Sequence, residues 1–285
     1  MTYPSTPHPE DSPGFEGYPR YVQETPQWAE EQSARPGGKV DVIEAVGWAF
    51  RAVFSNKRVW ILGSFLMMFI IGALGFAVVF SVLGLGGDSA KVAIEALLQG
   101  WKDLTPDLVS GLSMLLLTPF LCAGALAQVS KKKGQWAYFF QNLNYGAVFL
   151  AALASYAVTS LLPYLLALVG GLGGEAFDDD IQAVFVRLAL GIGGLLTFFL
   201  SPLVFFWEWF AAEGQSVKAA ISRGLTAGKH NYWALLLYGL IAPMVMVFAI
   251  VFTLGLGLFV FPAVYLLANA HMARQVFGGP LPARN

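Results

Sequence analysis

Glu208 is the one acidic side chain near the apolar part of a predicted membrane span, and it lies between Trp207 and Trp209. A carboxyl group inside a membrane is a functional candidate by default, because an unpaired charge there is costly. Two interpretations stay open. Glu208 could anchor its helix at the membrane–water interface, where tryptophan is enriched, with Arg187 at the opposite interface. It could instead be a coupling carboxylate for proton-linked transport.

The remaining titratable residues give no catalytic or metal-binding pattern. The three histidines, His8, His230 and His271, lack the spacing of metal ligands. No serine lies in the context of a nucleophile elbow. Asp178–Asp180 could hold a calcium ion, but without further spaced oxygen ligands a solvated loop is the better interpretation. The sequence therefore predicts no enzymatic activity, catalytic residue, metal or cofactor, and keeps His271, at the end of the last apolar segment, as a candidate functional residue.

Proline falls within five of the six predicted spans. Each proline removes one backbone hydrogen bond and can kink its helix, so neighbouring groups must satisfy the freed carbonyl. Kinked helices suit a transporter, whereas the simpler interpretation is that they shape the helices for packing. These residues are Pro119, Pro163, Pro202, Pro243 and Pro262.

The composition indicates an all-α, polytopic membrane protein. Hydrophobic residues make up 56% of the chain and charged residues 12%, whereas a soluble domain carries about 25% charged residues. The one cysteine, Cys122, lies in an apolar run and allows no internal disulfide. The first 40 residues have no apolar segment of the kind found in a secretory signal peptide.

Three regions follow from the distribution of residues. Residues 1–39 are rich in proline and polar residues, which predicts a disordered tail. Aromatic residues within this tail could mark docking motifs, and a solvated tail without a partner is the alternative. Residues 40–277 form the predicted six-helix membrane domain, and 278–285 a short polar C-terminal tail.

The apolar segments predict six spans, because each is long enough at about 1.5 Å per residue to cross a core of about 30 Å. The apolar stretch 233–270 is too long for one helix and predicts two, with a turn near 253–257. The other four cover roughly 59–83, 107–129, 146–169 and 181–212.

Short amphipathic segments precede the first, third and fifth spans, at 41–57, 135–145 and 216–233. Asp41 and Ser216 are plausible N-caps of the first and last of them. We expect these helices to lie on the cytoplasmic membrane surface, and a further surface helix at 88–104. The apolar faces predicted for them are Ile43, Val46, Phe50, Val53 and Phe54; then Trp136, Phe139, Phe140 and Leu143; then Val217, Ala220, Ile221, Gly224 and Leu225.

The order of amphipathic segment, span, outer turn and span thus occurs three times, which indicates a possible threefold repeat of helical hairpins. Ala45, Phe50 and Asn56 match the spacing of Ala220, Leu225 and Asn231. The repeats would be parallel and related by an axis along the membrane normal. The alternative is that any cytoplasmic entry helix has this pattern.

Lysine and arginine are concentrated before the first span and in the loops after the second, fourth and sixth. The excess of these residues in cytoplasmic loops predicts that both termini are cytoplasmic, which requires an even number of spans. Six spans satisfy that requirement.

The segment Glu213–Ile221, followed by Lys229–Trp233, resembles a recurring segment of bacterial six-helix integral membrane proteins of uncharacterised function. That group is similar to the membrane domain attached to some glycerophosphodiester phosphodiesterases. Lys133–Trp136 resembles their other cytoplasmic loop, and the likeness covers about 41–277. The soluble phosphodiesterase domain is absent, so the resemblance implies no such activity. The tail is similar to those of actinobacterial envelope proteins, which implies the bacterial cytoplasmic membrane.

From these observations we expect a non-enzymatic accessory or scaffold subunit in membrane-complex or cell-envelope biology. The alternative is a transporter or lipid-handling protein that uses a cleft between the repeats. The expected partners are the lipid bilayer and a protein bound through the tail or the amphipathic helices, and no nucleic acid.

Overall fold

The computed structural model describes residues 38–85, 105–130, 134–163, 165–166, 169, 179–278 and 281. Every regular element in these ranges is helical, which confirms the all-α prediction. Most of the predicted tail, the segment 88–104, the loop 170–178 and most of 278–285 lie outside them.

Nine α-helices occur in the described part of the chain. Their ends agree closely with the apolar segments, including the predicted break near 253–257, where one helix ends at Phe252 and the next begins at Gly257. The helices are α1 (Val42–Ser55), α2 (Lys57–Leu85), α3 (Thr105–Ser130), α4 (Tyr145–Tyr156, continued by a π-helical turn, Ala157–Leu161), α5 (Asp179–Val204), α6 (Trp207–Ala212), α7 (Val217–His230), α8 (Tyr232–Phe252) and α9 (Gly257–Phe277).

Three of the described helical segments are long and apolar enough to cross a membrane: Ser113–Ser130, Val184–Ala212 and Tyr232–Phe252. A fourth span results if Val42–Ser55 and Lys57–Ile70, which meet at 94°, are counted as one broken span. Tyr145–Leu161 is apolar but shorter. Several helices can therefore span a membrane, as a multi-pass membrane protein requires.

Helix α1 begins as predicted, because the carboxylate of Asp41 accepts a hydrogen bond of 3.0 Å from the backbone N–H of Glu44. Of the apolar face predicted for this helix, Val53 is buried, and Val46 and Phe50 pack against the core. Ile43 and Phe54 are 87% and 57% exposed, and the buried face, which is mostly alanine, packs α1 against α9. Small side chains let two helix backbones approach closely. The buried residues are Ala45, Ala49, Ala52 and Val53.

Helix α7 also buries small residues, namely Ala220, Gly224, Ala227 and Gly228. A Cβ added at Gly224 would lie 2.7 Å from Trp207 Cδ1, so this face contacts protein rather than a membrane surface. Ser216 occupies the N-cap position, but its side chain makes no capping hydrogen bond. The exposed side of α7 carries Lys218, Arg223 and Lys229.

The middle amphipathic segment forms less helix than predicted. Only a 3₁₀ turn is present, Trp136–Phe140, within which Trp136 and Phe140 are 42% and 68% exposed. Phe139 packs on Trp60, with ring centroids 5.4 Å apart, and fills the space left by Gly124. This turn therefore docks on α2 and α3.

The buried core surrounds the second half of α9, where α1, α3 and α6 pack against that helix. Polar contacts fix the end of α9. Arg274 forms an ion pair of 2.7 Å with Glu213 and donates to Ser130 Oγ at 3.0 Å. Gln275 Oε1 accepts from the backbone N–H of Asp41 at 2.8 Å. These contacts hold α1, α3 and the α6–α7 turn together.

Candidate functional site

Three asparagines stand immediately before a helix that leads away from an amphipathic segment: Asn56 before α2, Asn144 before α4 and Asn231 before α8. The side chain of each one bonds to the backbone at the start of a different amphipathic segment. A backbone group that is bonded by a side chain from another segment fixes the position of both segments.

Asn231 makes the most complete set of these bonds. Its Oδ1 accepts from the backbone N–H of Val40 at 2.9 Å, and its Nδ2 donates to the carbonyl of Gly38 at 3.0 Å. The same Nδ2 lies 3.0 Å from the carbonyl of Ala227, at the end of α7. The side chain is buried, so it joins the last amphipathic segment to the first.

Asn56 and Asn144 make corresponding contacts. Asn56 Oδ1 accepts from the backbone N–H of Gly134 at 3.1 Å. Asn144 Nδ2 donates to the carbonyl of Ala211 at 3.0 Å and to that of Gln215 at 3.3 Å. In all three cases a contacted residue directly precedes a helix N-cap: Val40 before Asp41, Gly134 before Gln135, Gln215 before Ser216. The contacts thus run from first segment to second, second to third, and third to first.

Side-chain hydroxyls satisfy backbone groups next to two of the predicted kink prolines. Pro163 has no N–H to offer the carbonyl of Thr159 four residues earlier, and Thr197 Oγ1 on α5 donates to that carbonyl at 2.8 Å. Ser201 Oγ donates in the same way to Phe198, at 2.9 Å, four residues before Pro202. Pro119, Pro243 and Pro262 lie inside α3, α8 and α9.

Two tyrosines extend the correspondence between segments. Tyr145, the residue after Asn144, donates its hydroxyl to the carbonyl of Leu116 at 3.4 Å. Tyr232, the residue after Asn231, donates to the carbonyl of Phe199 at 3.0 Å. Each accepting carbonyl lies three residues before a proline, Pro119 or Pro202.

A large apolar cleft, of about 1270 Å³, lies among α1, α2, α3, α6, α8, α9 and the 3₁₀ turn. Ordinary small-molecule pockets measure about 300–1,000 Å³, so the cleft has room for a larger ligand. Its walls are mainly aliphatic and aromatic. They include Phe50 of α1, Met67 of α2, Leu117 of α3, Ile241 of α8 and Leu266 of α9.

A small group of polar side chains also lines this cleft: Glu208, Trp209, Tyr238, Tyr265 and Asn269. The hydroxyl of Tyr238 donates to Asn269 Oδ1 at 2.9 Å, and the rings of Tyr238 and Tyr265 stack with centroids 5.5 Å apart. Trp209 is 1% exposed, and its Nε1 has no hydrogen-bond partner within the described residues. The cleft therefore combines apolar walls with a few polar side chains, of which Glu208 is acidic.

Of the candidate residues from the sequence, Glu208 lines the cleft, as do the kink prolines Pro243 and Pro262. Arg187 is exposed on α5. His271 is 1% exposed, its ring lies 4.9 Å from that of Trp48, and its Nδ1 lies 3.3 Å from Gln275 Nε2. The sequence aligned Asn56 with Asn231 but matched the middle copy, which ends at Asn144–Tyr145, only in outline, and it did not single out Tyr238, Tyr265 or Asn269. The repeated pair Asn–Tyr, at 144–145 and 231–232, was the available signal for the asparagine contacts.

Compared with family models, curated proteins and solved structures, the chain matches none. The resemblance to bacterial six-helix membrane proteins, based on Glu213–Ile221 and Lys133–Trp136, therefore stays a prediction. Within the described ranges, no three or more His, Cys, Asp and Glu side chains are placed to bind a metal ion together.

Proposed function

We propose that the protein crosses the bacterial cytoplasmic membrane six times, as three parallel helical hairpins around a common axis. The hairpins are α2 with α3, α4 with α5 and α8 with α9. The asparagine contacts support this arrangement, because in each unit the asparagine side chain bonds to the backbone just before the next amphipathic segment, and the third unit is bonded to the first. Independent entry helices have no reason to share such contacts.

The equivalent tyrosine contacts add support for the repeat. In the second and third units, the residue after the asparagine bonds to a carbonyl just before the proline of the preceding hairpin. The first unit has Lys57 instead of tyrosine at this position. A lysine ammonium is a charged donor on a flexible stem, so Lys57 is not equivalent to the neutral tyrosine hydroxyl. The repeat is thus most regular where the sequence keeps the Asn–Tyr pair.

Both termini and α7 should face the cytoplasm in this arrangement, which thiol labelling can measure. In a Cys122→Ala background, a cysteine at Lys218 on the exposed side of α7 should be shielded from an impermeant thiol reagent in intact cells. A cysteine at Asp179, at the start of α5, should react. Lysed cells provide the control, since both positions should then be labelled. Labelling at Lys218 but not at Asp179 in intact cells would invert the topology.

We further propose that the protein binds a membrane lipid in the apolar cleft and holds or passes it between sites. This was the alternative expected from the sequence, and the observation that carries it is the size and lining of the cleft. An apolar wall with a few convergent polar groups is the usual composition of a ligand site. No chemical step on the lipid is part of the proposal.

The test is to narrow the cleft and measure bound lipid. Ala242→Phe on α8 adds a ring to the wall, and we expect the affinity for lipid to fall about tenfold, which corresponds to about 1.4 kcal/mol. Gentle solubilisation, followed by mass spectrometry of the lipids that stay bound to the purified protein, measures this loss. Leu240→Phe is the matched control, because Leu240 is exposed on the same helix and does not line the cleft. Equal loss in both variants, or no lipid in the parent protein, would count against a binding site in the cleft.

The scaffold role remains a second proposal because α7 exposes a basic face opposite its packed side, with Lys218, Arg223 and Lys229. Such a face at the cytoplasmic surface suits an acidic partner protein. The same purification separates the two roles. A protein recovered in fixed proportion without lipid would favour the scaffold.

A further inference from the structure

The turn between α8 and α9 exposes large apolar side chains, where a turn in contact with water usually carries glycine, proline and polar residues. Phe252 is 81% exposed, Leu254 95% and Leu256 69%. The sequence 231–273, which contains the turn and most of both helices, has no Asp, Glu, Lys or Arg. The turn therefore lacks the charged side chains that contact with water favours.

The backbone of Leu254 makes this choice of residue more unusual. Its φ of 52° lies in the left-handed region, which glycine, asparagine and aspartate adopt far more readily than an aliphatic residue does. In the described part of the chain, Asn142 is the other non-glycine residue with a positive φ, of 51°. Asn142 is exposed in the loop before α4, which the proposed arrangement places in the cytoplasm. The same conformation thus carries asparagine in that loop and leucine in the α8–α9 turn.

The turn satisfies its own backbone donors. Every backbone N–H from Thr253 to Phe259 donates to an acceptor within the turn or in the adjoining ends of α8 and α9. The hydroxyl of Thr253 donates to the carbonyl of Ala249 at 2.7 Å and accepts from the N–H of Gly257 at 2.7 Å. An unpaired N–H is costly near hydrocarbon, where water is scarce. The turn can therefore approach the acyl chains without leaving a donor unpaired.

The length of α8 places the turn at the far edge of the bilayer core. The helix has 21 residues, which span about 31 Å at 1.5 Å per residue, against a core of about 30 Å. Trp233, which is 72% exposed at the start of α8, suits the cytoplasmic interface. The outer connections of the other two hairpins differ, since 86–104 and 170–178 carry charged residues.

We propose that the α8–α9 turn is a lipid-contacting surface that lies at the boundary between headgroups and acyl chains of the outer leaflet. Phe252, Leu254 and Leu256 point among the acyl chains instead of emerging into water. This inference rests on the proposed arrangement of the hairpins. Lipid is a better occupant than a second protein because the exposed apolar surface continues along α8, which is long and apolar enough to cross a membrane. The exposed residues next to the turn are Val247, Phe248 and Val251.

Site-specific photocrosslinking identifies what covers the turn. A diazirine-bearing amino acid replaces Leu254 in the full-length chain, or Asp179 as the control, and the adducts formed in cell membranes are analysed by mass spectrometry. We expect lipid adducts at Leu254 to exceed those at Asp179 about tenfold, the ratio that corresponds to moving one leucine-sized group out of water. Adducts to protein would show a second copy or a partner on the turn, and equally few lipid adducts at both positions would place it in water. Either result would overturn the inference.

The proposed arrangement is tested separately by the thiol labelling of Lys218 and Asp179. Correct labelling with few lipid adducts at Leu254 would reject the lipid contact and leave the arrangement intact. Inverted labelling would reject the arrangement and, with it, contact with the outer leaflet.

Leu254→Asn gives a second test whose sign depends on the surroundings of the turn. In water asparagine should stabilise the turn, because it tolerates a positive φ, whereas among acyl chains its amide would lose hydration. We expect the melting temperature in phospholipid nanodiscs to fall by about 4 °C. Asn142→Leu is the matched control, since it makes the reverse change at the same φ and should also lower the melting temperature. A higher melting temperature for Leu254→Asn would place the turn in water and refute the lipid contact.

Discussion

Replacing Asn231 with alanine should lower the free energy of unfolding by about 3 kcal/mol, one of the two largest effects we expect from a single substitution. The side chain is buried and joins Val40 and Gly38 to the end of α7. Its removal leaves the N–H of Val40 and the carbonyl of Gly38 without this partner, at about 1–3 kcal/mol for each buried group that stays unsatisfied. Thermal unfolding of the detergent-purified protein, followed by size-exclusion chromatography, measures the loss.

Asn231→Asp sharpens this test because it keeps the shape and the acceptor for Val40. It loses the donor and sets a carboxylate oxygen against the carbonyls of Gly38 and Ala227, so it should destabilise at least as much as alanine. Lys229→Ala, at an exposed position in the last turn of α7, should stay within about 0.5 kcal/mol of the parent. If the Asn231→Ala variant had the same melting temperature as the parent protein, the hydrogen bonds between the third and first segments would contribute nothing to stability.

The ends of the apolar helices were predictable because they depend on local sequence. A spanning helix must end where apolar residues stop or where the backbone reverses. Between α8 and α9 the reversal is at Leu254 and Gly255, which have φ values of 52° and 92°. Glycine adopts this left-handed region readily. The turn could therefore be located from the length of the apolar stretch and its glycines alone.

Hydrophobicity located the packing faces of α1 and α7 only in part, through Val53, Ala220 and Gly224. Lipid tails are as apolar as Ile43 or Phe54, so a membrane protein gains little by burying such residues against itself. Close approach of backbones decides the interface instead, and it requires small residues such as Ala45 and Ala220. The sequence did place Asn56 and Asn231 at corresponding positions. It could not reveal that each bonds to a different segment, since such bonds depend on tertiary structure.

The candidate site was predictable only in part, for a similar reason. Glu208 is conspicuous because an acid is rare in an apolar segment. Trp209, Tyr238 and Asn269 are ordinary residues in their own helices. They become candidate binding residues only because α6, α8 and α9 bring them to one cleft. Membership of a cleft formed by seven segments depends on the fold and leaves no local pattern in the sequence.

Gly228→Ala should be the most destabilising single-methyl substitution in α7, and it should lower the free energy of unfolding by about 3 kcal/mol. A Cβ at this position would overlap the carbonyl oxygen of Pro202 and lie 3.0 Å from Leu203 Cα. Both neighbours are backbone atoms of α5, so neither can turn aside as a side chain would. The two helices must separate, and overpacking of this kind typically costs about 1–3 kcal/mol and occasionally more.

Gly194→Ala is the matched control, because Gly194 also lies in a helix but has no atom within 4 Å of its added Cβ. Alanine there should stabilise by about 0.5–1 kcal/mol, since glycine loses more conformational freedom than alanine when a helix forms. The same thermal unfolding assay should thus move in opposite directions for the two variants. Loss of stability at both positions would mean that the membrane domain tolerates no added methyl groups in general. Stabilisation at both would mean that α5 and α7 are further apart than the contact at Pro202 requires, and the small-residue interface of α7 would have to be abandoned.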